Sequence, residues 1–100
     1  MNNKVSKFKE GDIVRVLSGV KDPDFQIDIG GWSGEVEEVN LSENGSWLYT
    51  IVWDQDTISV AGDGYENKCE RNNLDFERIC LEENELEIQK TSDARGFLLA

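Results

Sequence analysis

Three short apolar runs constrain this chain more than any other feature: Ile13 to Leu17, Trp32 to Leu41 and Trp47 to Trp53. In the first, Val14 and Val16 alternate with Arg15 at the two-residue period of a strand with one buried face. The third places Trp47, Tyr49, Ile51 and Trp53 on one side and Leu48, Thr50 and Val52 on the other. The second breaks the period, because Val36 and Val39 are three apart. A bulge or sharp bend between them would return both to the core side. Gly34 in the same run permits close backbone approach. Ser42-Glu43-Asn44-Gly45-Ser46 supplies a turn built on the Asn-Gly dipeptide favoured in hairpins. Together these runs predict a strongly bent, antiparallel β-barrel.

The rest of the chain is placed around them. Phe8 to Asp12 is a turn leading into the first strand. Ser18 to Gly31 lacks alternation and carries Gly19, Pro23 and Gly30 with Asp22, Asp24 and Asp28 among them, so it is predicted to be a long surface loop. Loops of this length in a small domain are often functional. Asp54-Gln55-Asp56 turns into a fourth strand over Thr57 to Val60, completing a curled meander. Between Ala61 and Asn73, Tyr65, Cys69 and Leu74 are spaced as one face of a short helix, with Asn72-Asn73 suited to ending it. A turn at Asp75 to Arg78 leads to Ile79-Cys80-Leu81, and Leu86 and Ile88 mark the closing strand. The expected architecture is mainly β, a five-stranded antiparallel barrel with one short helix between its fourth and fifth strands. A single domain is assigned to 1–88. The segment 89–100 has no clear periodicity before Phe97-Leu98-Leu99 and is expected to be a mobile tail or a short docking helix.

Charge narrows the partners. The 100 residues carry a net charge of -11 with a pI near 4.3. Such a chain repels nucleic acid, whose binding depends on Lys and Arg at the phosphates, and anionic membranes for the same reason. A basic protein surface or a cation is the natural ligand, although an acidic surface also serves solubility alone. The polar start of the chain lacks the apolar core of a secretory signal and no window spans a membrane, so the cytoplasm is the expected compartment. There Cys69 and Cys80 are expected to be buried, reduced thiols.

The chain has no histidine, which removes Ser-His-Asp and Cys-His catalysis and the usual zinc ligands. Asp54 and Asp56 are a conceivable acid and base, but a barrel this small offers little concave surface to desolvate them. No enzyme activity is expected.

Two sets of residues carry a resemblance. Phe8, Gly11-Asp12, Val14-Arg15-Val16, Gly34 with Val36 and Val39, and Trp53-Asp54 look like the opening hairpins of SH3-like barrels, a class that includes KOW and Tudor modules. More specifically, the arrangement of Val20 to Phe25, Gly31-Trp32-Ser33-Gly34, Trp53-Asp54, Cys69-Glu70, Asn73-Leu74-Asp75 and Leu81 to Glu87 resembles a family of small bacterial SH3-like proteins with a helix inserted before the final strand. That resemblance covers 8–88 and implies a barrel. It also implies calcium binding, a property of some members. Asp22, Asp24 and Asp28 fit the first, third and seventh positions of an EF-hand loop, but Ile27 stands where the turn glycine belongs and Ser33 where the bidentate glutamate belongs. The three carboxylates either hold a hard cation with backbone oxygens or cap turns in a solvated loop.

The aromatic residues define a second candidate site. In the barrel, Phe25 and Trp32 lie in or beside the long loop, while Trp53, Asp54 and Asp56 end the third strand, where SH3-like modules line a ligand groove. Aromatic faces beside carboxylates suit basic or proline-rich peptides. Equally, Trp53 fills the barrel and Trp32 packs over one end. The functional expectation is a monomeric, non-catalytic interaction module presenting Phe25, Trp32, Trp53, Asp54 and Asp56 to a basic protein or peptide. Its alternatives are a calcium-binding protein using Asp22, Asp24 and Asp28, and an accessory subunit docking through a strand edge or the tail.

Overall fold

The computed structural model describes residues 5–91. Five strands form one antiparallel sheet in the order β4-β3-β2-β1-β5: β1 Ile13–Val16, β2 Ser33–Leu41, β3 Trp47–Trp53, β4 Arg78–Glu82 and β5 Leu86–Lys90. A helix, α1 Gln55–Arg71, lies between β3 and β4, and a 3-10 turn, Glu83–Glu85, joins β4 to β5. Among the described residues no helix is long and apolar enough to cross a membrane.

That three-residue turn forces the sheet to curl. β4 and β5 are its two edges, and five strands laid flat at the usual spacing would separate those edges by about 19 Å. The chain from Glu82 to Leu86 reaches at most about 14 Å. The sheet therefore bends back on itself, yet no ladder joins β4 to β5, so it is not closed.

Bending is helped by two features of β2. Its register against β3 shifts between Val36 and Glu38, the bulge required by the spacing of Val36 and Val39. Gly34 meets β3 so closely that a Cβ there would lie 2.2 Å from the Val52 carbonyl oxygen. No side chain fits that crossing.

The core draws on all five strands. Tyr49, Ile51 and Trp53 of β3 enter it with Val14, Val16, Val36, Ile79, Leu81 and Leu86. Phe8 closes one end, its ring edge-on to Tyr49 at 5.2 Å. The Tyr49 hydroxyl accepts from Lys7 N at 3.1 Å and Phe8 N at 3.3 Å and donates to Glu83 Oε2 at 2.6 Å. It thereby ties the segment before β1 to the 3-10 turn. Burial, with the Glu83 hydrogen bond adding to it, pushes the Tyr49 pKa up to about 12.

The structure corrects the expected order of elements. Thr57 to Val60 is not a fourth strand but the start of α1, so the helix follows the third strand and both remaining strands come after it. A strand would put Ile58 and Val60 on one face. In the helix they part: Ile58 packs against the core while Val60 is 75% exposed. The β-branched run favours a strand locally, but the Asp54 carboxylate accepts from Thr57 N at 2.8 Å and caps a helix instead. α1 is broken at Gly62, whose φ of 80° is a left-handed value. β5 runs to Lys90, two residues into the segment assigned to the tail, whose remainder from 92 onwards lies outside the described residues.

The long loop between β1 and β2 is more ordered than its composition implies. Lys21 and Asp28 form an isolated bridge, and Ile29 is fully buried in the core. The loop is pinned at its base and returns to the sheet as a folded arm. Cys69 is buried, as expected, but Cys80 is exposed. In β4 the inward positions belong to Ile79 and Leu81, so the residue between them must face out.

Candidate functional site

The folded arm and α1 meet over one end of the sheet, and a polar junction holds them there. Asp54 N donates to Ser33 O at 3.1 Å, Ser33 Oγ to Asp54 Oδ2 at 2.5 Å, and Ser33 N to Thr57 Oγ1 at 3.0 Å. The start of β2 is thus bound to the start of α1. Burial acts to raise the Asp54 pKa, but the donors from Ser33 and Thr57 outweigh it and hold the carboxyl below its ordinary value.

From this junction a chain of aromatic rings runs outward. Trp53, 3% exposed, belongs to the core. Trp32 stands edge-on to it at 5.3 Å, Tyr65 of α1 edge-on to Trp32 at 5.3 Å, and Phe25 of the arm edge-on to Tyr65 at 6.3 Å. Each contact is close to perpendicular, the geometry that sets a ring's positive edge against its neighbour's negative face. Ile27 and Trp32 of the arm, with Ala61, Gly64, Tyr65 and Lys68 of α1, line a groove of about 330 Å³. The Lys68 ammonium lies over the Phe25 ring, 5.2 Å from its centroid.

Tyr65 also borders a second concavity, of about 230 Å³. Asp22, Asp24 and Asp75 lie around that cleft with Cys69 and Arg78. The three carboxylates differ in state. Asp22 is 1% exposed, and its carboxylate accepts from Phe25 N at 2.5 Å, shaping the arm's turn. Asp75 accepts from Glu77 N and from Arg78 Nη1, both at 2.9 Å, which keeps its pKa below the ordinary range. Asp24 is exposed and pairs with no cation among the described residues.

These charges also bear on the groups beside them. Burial pushes the Cys69 thiol up, with Asp22, Asp24 and Asp75 adding to it, and pushes the Tyr65 hydroxyl well above the usual tyrosine value. The thiol is therefore held protonated, the opposite of what a nucleophile requires.

The structure brings together only part of the expected site. Phe25 and Trp32 are half-buried and meet at Tyr65. Trp53 is core, Asp54 is the helix cap, and Asp56 is exposed in the first turn of α1. Of the loop carboxylates, Asp22 and Asp24 share a cleft, whereas Asp28 accepts from Gly30 N at 2.9 Å. Among the described residues no three acidic or thiol side chains group as metal ligands. Tyr65, Lys68, Ile27 and Gly64 were not anticipated as site residues. For Tyr65 the signal was present, since its spacing with Cys69 marks the inner face of a helix.

Compared with protein-family models, curated proteins and solved structures, the chain matches none.

Proposed function

We propose that this chain is a non-catalytic interaction module on an SH3-like barrel, and that its arm–helix face captures a basic peptide segment. The fold assignment is supported by the strand order, the long loop after β1, the forced curl of the sheet and the 3-10 turn before β5. The capture function rests chiefly on one observation: Tyr65 lines both an aromatic groove and an acidic cleft. A peptide spanning both concavities lays apolar or methylene surface against Trp32 and Ile27 and directs a cation toward Asp24. The net charge of -11 draws basic segments in and repels acidic ones.

The test is an amide-shift titration of the labelled chain with an oligolysine octamer at low and at high salt. Shifts centred on Ile27, Trp32, Gly64 and Tyr65 that weaken with salt are expected. Trp32→Ala should reduce affinity by about tenfold, the cost of removing one central aromatic anchor, while the spectrum of the β2–β3 hairpin is kept. Shifts scattered over the whole acidic surface, or none at millimolar peptide, would reject the site.

A further inference from the structure

We propose that the basic peptide is held as an added strand on the free edge of β4, paired to the Cys80 backbone, with a basic side chain in the adjoining acidic cleft. The inference rests on that cleft's belonging to the peptide site.

The cleft lies off the edge of the sheet rather than on one of its faces. Its β4 wall is Arg78, Ile79 and Cys80, three successive residues whose side chains alternate between the two faces. No residue of β3, the strand on the other side of β4, lines it. The remaining wall includes Asp22 and Asp24 of the arm, Tyr65 of α1, and Asp75. β4 ends the sheet, so no ladder occupies this side of it.

The register shows which backbone groups face outward there. Trp53 N donates to Glu77 O at 2.9 Å, so Ile79 and Leu81, two and four residues further on, also bond to β3. Arg78, Cys80 and Glu82 therefore turn their N–H and C=O groups to the free side. Two of those three donors are already used: Arg78 N donates to Asp75 O at 3.3 Å, and Glu82 N to Glu85 Oε1 at 2.9 Å. The Cys80 N–H has no such bond among the described residues. Between two closed positions the edge keeps one open donor with its acceptor, the pair an added strand requires.

Charge selects the occupant. The Arg78 guanidinium is taken by Glu37 and Asp75, which leaves Asp24 as the unpaired charge of the cleft. A second copy of the chain would bring a further net charge of -11 against these carboxylates. An extended segment rich in lysine or arginine turns alternate side chains toward the cleft and brings a cation to Asp24.

Cys80→Pro removes the open donor while sparing the ladder to β3, since proline is tolerated where the N–H faces away from the sheet. In titrations with the oligolysine octamer, the wild-type Cys80 amide should exchange more slowly with solvent once the peptide is bound. Cys80→Pro should bind about tenfold more weakly, the upper range for loss of one backbone bond. A second probe leaves the protein unaltered: an octalysine methylated at every backbone nitrogen keeps its charge but has no backbone donor, and should lose a similar factor against the wild type. If Cys80→Pro does not fold, this peptide decides alone. Equal binding of the two peptides, with Cys80 exchange unchanged, would overturn the strand pairing and leave capture at the aromatic groove standing. Absence of binding by the wild type would overturn both. Slow Cys80 exchange before any peptide is added would show the edge already covered, by a second copy or by the chain itself, and would also overturn the proposal.

Discussion

The β2–β3 hairpin and the arm–helix face are built by opposite means. In the hairpin, alternating side chains, the Val36–Glu38 register shift and the Asn44-Gly45 turn act within a short stretch of chain. Backbone bonds and core packing then agree with one another. In the arm–helix face, residues far apart in sequence meet: Phe25 with Tyr65, Trp32 with Trp53, Ser33 with Asp54 and Thr57. Local pattern there opposes the outcome, since a β-branched run is drawn into a helix and a glycine-rich loop becomes an anchored arm. The hairpin supplies the frame, and the arm and the helix are packed onto it through these long-range contacts.

One substitution made in both regions tests this contrast most sharply. Gly34→Ala puts a methyl group 2.2 Å from the Val52 oxygen, so β2 and β3 must separate. We expect a loss of about 3 kcal/mol or more, or failure to fold, measured by urea denaturation. Gly62→Ala meets no atom within 4 Å and pays only for a backbone of φ 80° and ψ 175° that glycine alone adopts readily, about 2 kcal/mol. Similar losses at the two sites would mean that the frame and the face unfold with equal resistance to crowding.

The smallest effect concerns the junction between the regions. The folded Asp54 pKa lies below its ordinary value, so its contribution to stability is present above the unfolded pKa and is lost as pH falls through the folded one. Asp54→Asn keeps a capping oxygen at neutral pH but removes that titration. Its melting temperature should therefore fall less than the wild type's between about pH 5 and pH 2. Parallel acid limbs would show that Asp54 acts as a neutral cap, without a charge-dependent share in joining the arm to the helix.

The parts of the fold legible in the sequence are those that short-range geometry decides. The side of β3 that faces the core, the bulge after Val36 and the close approach at Gly34 all follow from a two-residue period and its single interruption. The start of α1 was not legible, because Thr57, Ile58 and Val60 satisfy a strand pattern as well as a helix. The choice depends on Asp54 capping the turn and on Ile58 alone finding the core. Ile29 was hidden in the same way: a single apolar residue among glycines and aspartates has no periodicity, and only the closure of the arm buries it.

At the candidate site, Phe25 and Trp32 could be picked out as aromatic residues beside an acidic loop. Trp53 and Asp54 carry the same chemistry and were picked out with them, but one fills the core and the other caps α1. Residue type cannot distinguish a ring facing solvent from one facing a core.

By itself, the sequence determined a bent antiparallel sheet, an acidic surface and the absence of histidine chemistry. These follow from period, composition and charge, which survive any arrangement of the elements. The tertiary structure alone decided that Tyr65 lines both an aromatic groove and an acidic cleft, and that Lys68 rests on Phe25. Those placements depend on where a 17-residue helix lands against a loop some forty residues earlier in the chain. No local preference encodes that meeting; packing of the whole chain around one core does.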